Sequence, residues 1–156
     1  DARYSEKGED YTEGMQRLLR KWETMKSHVP APVRRNAKKR TPDGIIYIGS
    51  TDPAMDEALA ALEADGVHLD AMRLRAFPFC DEVFEFIRTH EQVFVVEQNR
   101  DAQLKSLLVN EGGVHPARLV SVLHYDGTPI TARFITKDIR EKLKAGRAAA
   151  LPEKAQ

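Results

Sequence analysis

Hydrophobic positions near the start of the chain recur at helical spacing. Tyr11, Met15, Leu18, Trp22 and Met25 step by four and three, which puts them on one helical face, while Glu13, Arg17, Arg20 and Lys21 form the polar side. The helix should stop before Pro30. The stripe is expected to pack on the domain that follows; the other reading is a surface for another domain or subunit. From Pro30 to Pro42 the prolines prevent a helix, leaving extended chain with room for a short edge strand near Val33. After Pro42 strands and helices alternate. Ile45–Ile48, Val67–Arg75, Val93–Val96 and Leu119–Leu123 read as strands, the first suited to burial on both faces and the third the most strongly hydrophobic. Helices are expected over Ala54–Asp65, with Gly66 as its cap, over Asp81–His90, over Asp101–Asn110, and from Pro129 to about Leu143, the last broken near Thr136. This alternation predicts an α/β domain with three layers, α/β/α, around a mostly parallel sheet. The expected divisions are a helical connector over 1–29, the α/β domain over 30–144 and a flexible tail over 145–156.

Composition narrows the function. The 156 residues carry 24 basic and 24 acidic side chains, a net charge of zero, which excludes a wholesale polyanion binder. Five of the seven residues from Arg34 to Arg40 are basic, but no aromatics interleave them, so a solvated loop is expected and no nucleic-acid partner. No apolar run is long enough for a membrane span. The single cysteine, Cys80, excludes a disulfide framework and a cysteine-held cluster within this chain, and fits a reducing, cytoplasmic location. The histidines lack metal-ligand spacing, so no metal site is expected. The chain begins at Asp1, without Met, and is expected to be a piece of something longer.

In sheets of this kind function gathers at the carboxyl ends of the strands. The first end, Gly49-Ser-Thr-Asp-Pro53, places Asp52 as an N-cap whose carboxylate would occupy the amides a phosphate needs. The second, around Arg73, Arg75, Phe77 and Phe79, sets two arginines on one strand face beside a rigid apolar loop. The arginines are expected to project beyond the helices and meet an acidic partner or a local carboxylate such as Glu97. At the third, Glu97, Asn99 and Arg100 follow a buried strand. Asn99 is a candidate cap, Asp101 belongs in the first turn of the next helix, and Glu97 has no nucleophile or second carboxylate to work with. At the fourth, His124 is the one histidine placed where strand ends converge. No catalytic residue is assigned. Arg73, Arg75, Phe77, Phe79, Glu97, Asn99 and Arg100 form a candidate interface between domains or subunits.

These strand-end motifs, Gly49-Ser-Thr-Asp52, Arg73-Leu-Arg-Ala-Phe-Pro-Phe79, Val95-Val-Glu-Gln-Asn-Arg-Asp-Ala-Gln-Leu104 and His124-Tyr-Asp-Gly-Thr-Pro-Ile-Thr-Ala-Arg133, fall in one order together with the opening Ala2-Arg-Tyr-Ser-Glu-Lys-Gly-Glu-Asp-Tyr11. Over residues 1–139 the chain resembles the C-terminal domain of the α subunit of 2-oxoacid:ferredoxin oxidoreductases, and the 2-oxoglutarate enzymes most of all. The resemblance implies a fold similar to the C-terminal domain of transketolase, with one antiparallel edge strand near Val33. It implies an intact complex that uses thiamine diphosphate, magnesium, coenzyme A and iron–sulfur clusters to convert 2-oxoglutarate to succinyl-CoA, carbon dioxide and reduced ferredoxin. The implied partners are a β subunit, the rest of the α subunit and, through the complex, ferredoxin. The domain itself would assemble the complex, hold no cofactor and be inactive alone. The competing expectation is a stand-alone module binding a phosphate-bearing ligand at the first strand end.

Overall fold

The computed structural model describes the backbone of residues 4–150 and the side chains of residues 4–146. Helix α1 spans Gly8–Lys26. The order then runs β1 (Val33–Arg35), β2 (Asp43–Ile48), α2 (Asp52–Ala64), β3 (Asp70–Leu74), α3 (Asp81–Thr89), β4 (Gln92–Glu97), α4 (Gln103–Gly112), β5 (Leu119–Leu123) and α5 (Ala132–Ala150). The five strands form one sheet in the order β1-β3-β2-β4-β5. Strand β1 lies antiparallel to β3 at the edge, and the others are parallel. The mixed sheet with its antiparallel edge near Val33 is therefore as expected.

Period-two alternation builds the two sides of the sheet. Ile45, Tyr47, Phe94 and Val96 face Met55 and Leu62 of α2 and Ile135 and Ile139 of α5. Ile46, Val93 and Val95 face Val83, Phe86 and Ile87 of α3 and Leu104 and Leu108 of α4. Each side is a separate buried layer, which is why the runs Ile45–Ile48 of β2 and Val93–Val96 of β4 are apolar throughout. Gly66 takes a left-handed φ of 77° and its amide donates to the Glu63 carbonyl, closing α2 as the sequence indicates.

Several boundaries differ. Strand β3 is shorter than predicted because its pairing with β1 ends at Arg73 and its pairing with β2 at Leu74, leaving Arg75 in the following loop. Helix α4 starts at Gln103, so Asp101 lies outside its first turn. Helix α5 begins at Ala132 after the Asp126 to Thr131 segment, passes Thr136 without a break and continues to Ala150, beyond the predicted end. The rest of the segment read as a tail, 151–156, lies outside the described residues. The apolar stripe of α1 is the largest correction: no residue of this helix is buried, and Tyr11 is 72 % and Leu18 52 % exposed. Apart from Trp22, which meets Phe77, its face does not serve as a core contact with the domain.

Candidate functional site

Strands β2 and β4 are neighbours, but α2 carries the chain from β2 to β3 on one side and α4 carries it from β4 to β5 on the other. Their carboxyl ends thus flank the point where the strand order reverses, the usual place for a crevice. A crevice of about 340 Å³ lies there, lined by Gly49, Ser50, Thr51, Gln98, Asn99 and Leu107. The Gln98 amide donates to Ser50 Oγ at 2.9 Å and Thr51 Oγ1 at 3.3 Å, bridging the two loops. Sequence reasoning missed this bridge, because the partners lie almost fifty residues apart.

Glu97 ends β4 and is buried. Its carboxylate accepts from the backbone amides of Leu104 at 2.7 Å and Lys105 at 3.2 Å, and from Asn99 Nδ2 at 2.6 Å. These are amides of the first turn of α4, which have no partner inside the helix, and the negative charge also suits the helix dipole. Asn99 Oδ1 accepts from the amides of Asp101 and Gln103, so it supports the loop as expected of a capping residue. Ala102, between them, sits in the left-handed region with φ 51°. Glu97 is therefore the anchor of α4. It is not a partner for Arg75, whose Nε donates to the Ala31 carbonyl.

The arginines of the second strand end also have local partners. Arg73 Nη1 lies 2.9 Å from Asp52 Oδ2. Asp52 is the first residue of α2, following a single 3-10 turn over Gly49–Thr51, and is not the predicted N-cap. The pair keeps a carboxylate at the helix start, the position a phosphate would need, which disfavours the phosphate-module reading. Arg75 is exposed and its Nε donates to the Ala31 carbonyl at 2.6 Å. Phe77 is 39 % exposed, whereas Phe79 is 3 % exposed and belongs to the core. Phe79 is thus removed from the candidate contact surface. Rings run in file from α1 inward: Trp22, Phe77, Phe79 and Phe84 meet edge to face at centroid separations of 5.0, 5.0 and 6.2 Å.

At the fourth end His124 is buried, its ring edge-on to Phe134 at 4.7 Å and its Nε2 3.4 Å from Asp126 Oδ1. The hydroxyl and then the amide of Thr128 donate to Asp126 and hold its carboxyl below the ordinary value of 3.8. This closes the turn and leaves His124 facing a ring, not a cavity. Three members of the basic run are likewise engaged: Arg35 pairs with Asp56, Lys38 with Glu63 at 2.9 Å, and the Arg34 guanidinium covers the Phe86 ring at 5.4 Å.

The assembled strand ends provide hydrogen-bonding surface, a half-exposed ring at Phe77 and the exposed arginines Arg75 and Arg100, whose Nε atoms donate to the Ala31 carbonyl and to Asp101. They do not bring a nucleophile together with a base. Among the described residues, no group of three or more His, Cys, Asp or Glu side chains is placed to hold a metal ion. A single cysteine, Cys80, cannot ligate an iron–sulfur cluster. The donor set here fits neither a cluster nor a magnesium diphosphate. Among the described residues no helix is long and apolar enough to cross a membrane.

No family model matches the chain, and no curated protein matches it in sequence. Solved structures do match. The 2-oxoglutarate:ferredoxin oxidoreductase from Magnetococcus marinus, solved with 2-oxoglutarate, coenzyme A and succinyl-CoA bound, aligns over 89 % of this chain with a TM-score of 0.77 and 20 % identity. A split gene transketolase, an inactive β4 tetramer, aligns over 72 % of this chain and 42 % of its own length, with a TM-score of 0.55 and 22 % identity. The α chain of a probable 2-oxoacid ferredoxin oxidoreductase from Thermoplasma acidophilum aligns over 73 % of this chain and 97 % of its own, with a TM-score of 0.49 and 23 % identity. The chain spans 24 % of the length of the Magnetococcus marinus protein. At these identities the first two superpositions establish the fold, which is the α/β architecture expected from the strand pattern.

Proposed function

We propose that this chain is an assembly domain of a thiamine-diphosphate-dependent 2-oxoacid:ferredoxin oxidoreductase, equivalent to the C-terminal domain of its α subunit. The observation that carries this reading is the superposition on the Magnetococcus marinus 2-oxoglutarate enzyme at a TM-score of 0.77 over 89 % of the chain. The same order of strand-end motifs supports it from the sequence side. In this reading the intact complex takes 2-oxoglutarate and coenzyme A to succinyl-CoA, carbon dioxide and reduced ferredoxin. Thiamine diphosphate, magnesium and clusters are held by the rest of the α subunit and by the β subunit, in the cytoplasm. The chain contributes contacts, with Arg73, Arg75, Phe77, Asn99 and Arg100 at or near the surface that meets those partners. A local role fits what its side chains do: Glu97 and Asn99 shape a loop, and Arg73 locks the start of α2.

The test is capture from native extract with an antibody raised against this chain, followed by an assay of the captured material. Reduction of ferredoxin that depends on both 2-oxoglutarate and coenzyme A is the expected result. Reduction driven by another 2-oxoacid would move the substrate assignment and keep the complex. Captured material with no 2-oxoacid-dependent reduction, but otherwise intact, would overturn the proposal.

A further inference from the structure

We infer that the fold holds His90 as an imidazolium, and that its second ring proton works a clasp fastening the edge strand β1 to the sheet. The clasp lies at the amino ends of β2, β3 and β4, away from the strand ends assigned to assembly, and does not depend on that assignment.

His90 follows α3 and is 3 % exposed. Its ring lies against Phe86, with 4.3 Å between centroids. Gly44 of β2 leaves both rings their room: a Cβ there would come within 2.8 Å of Phe86 and 3.3 Å of His90. His90 Nδ1 lies 2.6 Å from the Phe86 carbonyl oxygen, and Nε2 lies 3.1 Å from Asp70 Oδ2. A carbonyl oxygen only accepts, so Nδ1 carries a proton. The Thr89 hydroxyl, 3.5 Å from Nδ1, is 3.0 Å from the Glu85 and Phe86 carbonyls and donates there. The Nε2 contact needs a proton as well, because a carboxylate only accepts and would otherwise face a bare nitrogen lone pair.

The surroundings of Asp70 decide which partner holds that proton. Asp70 Oδ1 accepts from the Ala37 amide at 2.7 Å, and Arg34 Nη2 lies 4.0 Å from Oδ2. An amide donor and a guanidinium both suit a carboxylate, so the proton belongs to His90. Of the other charged groups on the neighbouring elements, Arg118 donates from Nη1 to the His90 carbonyl at 2.8 Å, and Glu91 is exposed. Asp43, next to Gly44 on β2, alternates to the opposite side of the sheet.

Strand β1 is three residues long, exposed throughout, and pairs on one side only, with β3. Arg34 within it and the Ala37 amide just beyond it both meet Asp70, and Arg34 also covers the Phe86 ring. His90 joins these two supports, since one ring nitrogen holds the Asp70 carboxylate and the other the Phe86 carbonyl. Loss of the Nε2 proton sets lone pair against carboxylate. Asp70 then turns away and the Ala37 amide loses its acceptor. The clasp is closed while the imidazolium persists and opens as rising pH removes its proton.

Nitrogen NMR of the full chain with isotope-labelled histidine tests this at about pH 7. The His90 signals are assigned by their loss in His90→Gln. Both ring nitrogens of wild-type His90 should carry protons. In Asp70→Asn the side-chain amide can donate to Nε2, so only the Nδ1 proton should remain. Amide exchange, corrected for its intrinsic pH dependence, reads the clasp itself. Between about pH 7 and about pH 9 exchange at Ala37 should speed by about tenfold, the loss expected for one charge-assisted hydrogen bond. Exchange at Leu104, whose amide is held by Glu97, should show no such rise, and neither should Ala37 in Asp70→Asn. Circular dichroism confirms that the variants fold; should either fail to, the Ala37 and Leu104 exchange of the wild-type chain decides. A single ring proton on wild-type His90 at about pH 7, or an Ala37 amide that follows the same pH dependence as Leu104, would overturn the proposal.

Discussion

The indole of Trp22 meets the ring of Phe77 edge to face, with 5.0 Å between centroids and 72° between planes. Phe77 in turn meets Phe79, which is buried among Leu74, Val83 and Phe84. This file of rings connects an otherwise exposed helix to the core. Trp22 is the sole tryptophan of the chain, so its fluorescence reports the contact directly. Phe77→Ala should shift the emission to the red and cost about 1 kcal/mol of stability, since an edge-to-face pair contributes about that much beyond area. Unchanged emission would show that Trp22 is held elsewhere.

Glu97 gives a larger effect. Its carboxylate holds the amides of Leu104 and Lys105 in a buried position. Glu97→Ala leaves these donors without their acceptor and should cost about 2–4 kcal/mol in urea unfolding. Glu97→Gln keeps one acceptor oxygen and should cost less than Ala. Equal stability of the Ala variant and wild type would contradict the anchoring role.

Ala102 offers a change in the opposite direction. A left-handed alanine costs about 1–2 kcal/mol, whereas glycine accepts φ 51° freely. Ala102→Gly should stabilise the chain by about 0.5 kcal/mol after the added freedom of the unfolded glycine is subtracted. A loss of stability would show that the methyl group makes a contact that outweighs the strain.

Tyr47 makes stability depend on alkaline pH. Burial on the α2 side of β2 raises its phenol above the ordinary value of 10.0. The folded state therefore keeps the proton more tightly than the unfolded chain. The contribution is full below pH 10.0 and is lost as pH rises through the higher folded value. Urea unfolding at about pH 9 and about pH 11 should show a fall that is smaller in Tyr47→Phe than in wild type. An identical fall in both would assign the dependence to other groups.

Element order was legible because period-two runs such as Ile45 to Ile48 and Val93 to Val96 can be read without partners. The cap at Gly66 was legible because its conformation is local. Partners distant in sequence were not: Arg73 read as an arginine for an acidic partner or a local carboxylate such as Glu97, whereas its carboxylate, Asp52, lies on another element, and Glu97 read as a possible contact because the amides that donate to it belong to a helix that begins later than its polar start suggests. Phe77 and Phe79 look equivalent in the sequence, yet the loop turns one outward and the other into the core. The α1 stripe was plain, but periodicity identifies an apolar face and not what covers it.

We propose that this domain works inside a larger oxidoreductase particle. Native electrophoresis of extract, blotted with antibody to this chain and followed by mass spectrometry of the band, measures that most directly. The expected result is a particle many times larger than 17.6 kDa that also contains a second subunit carrying the thiamine chemistry. A band at the mass of one or two copies of this chain, with no other polypeptide in it, would overturn that proposal.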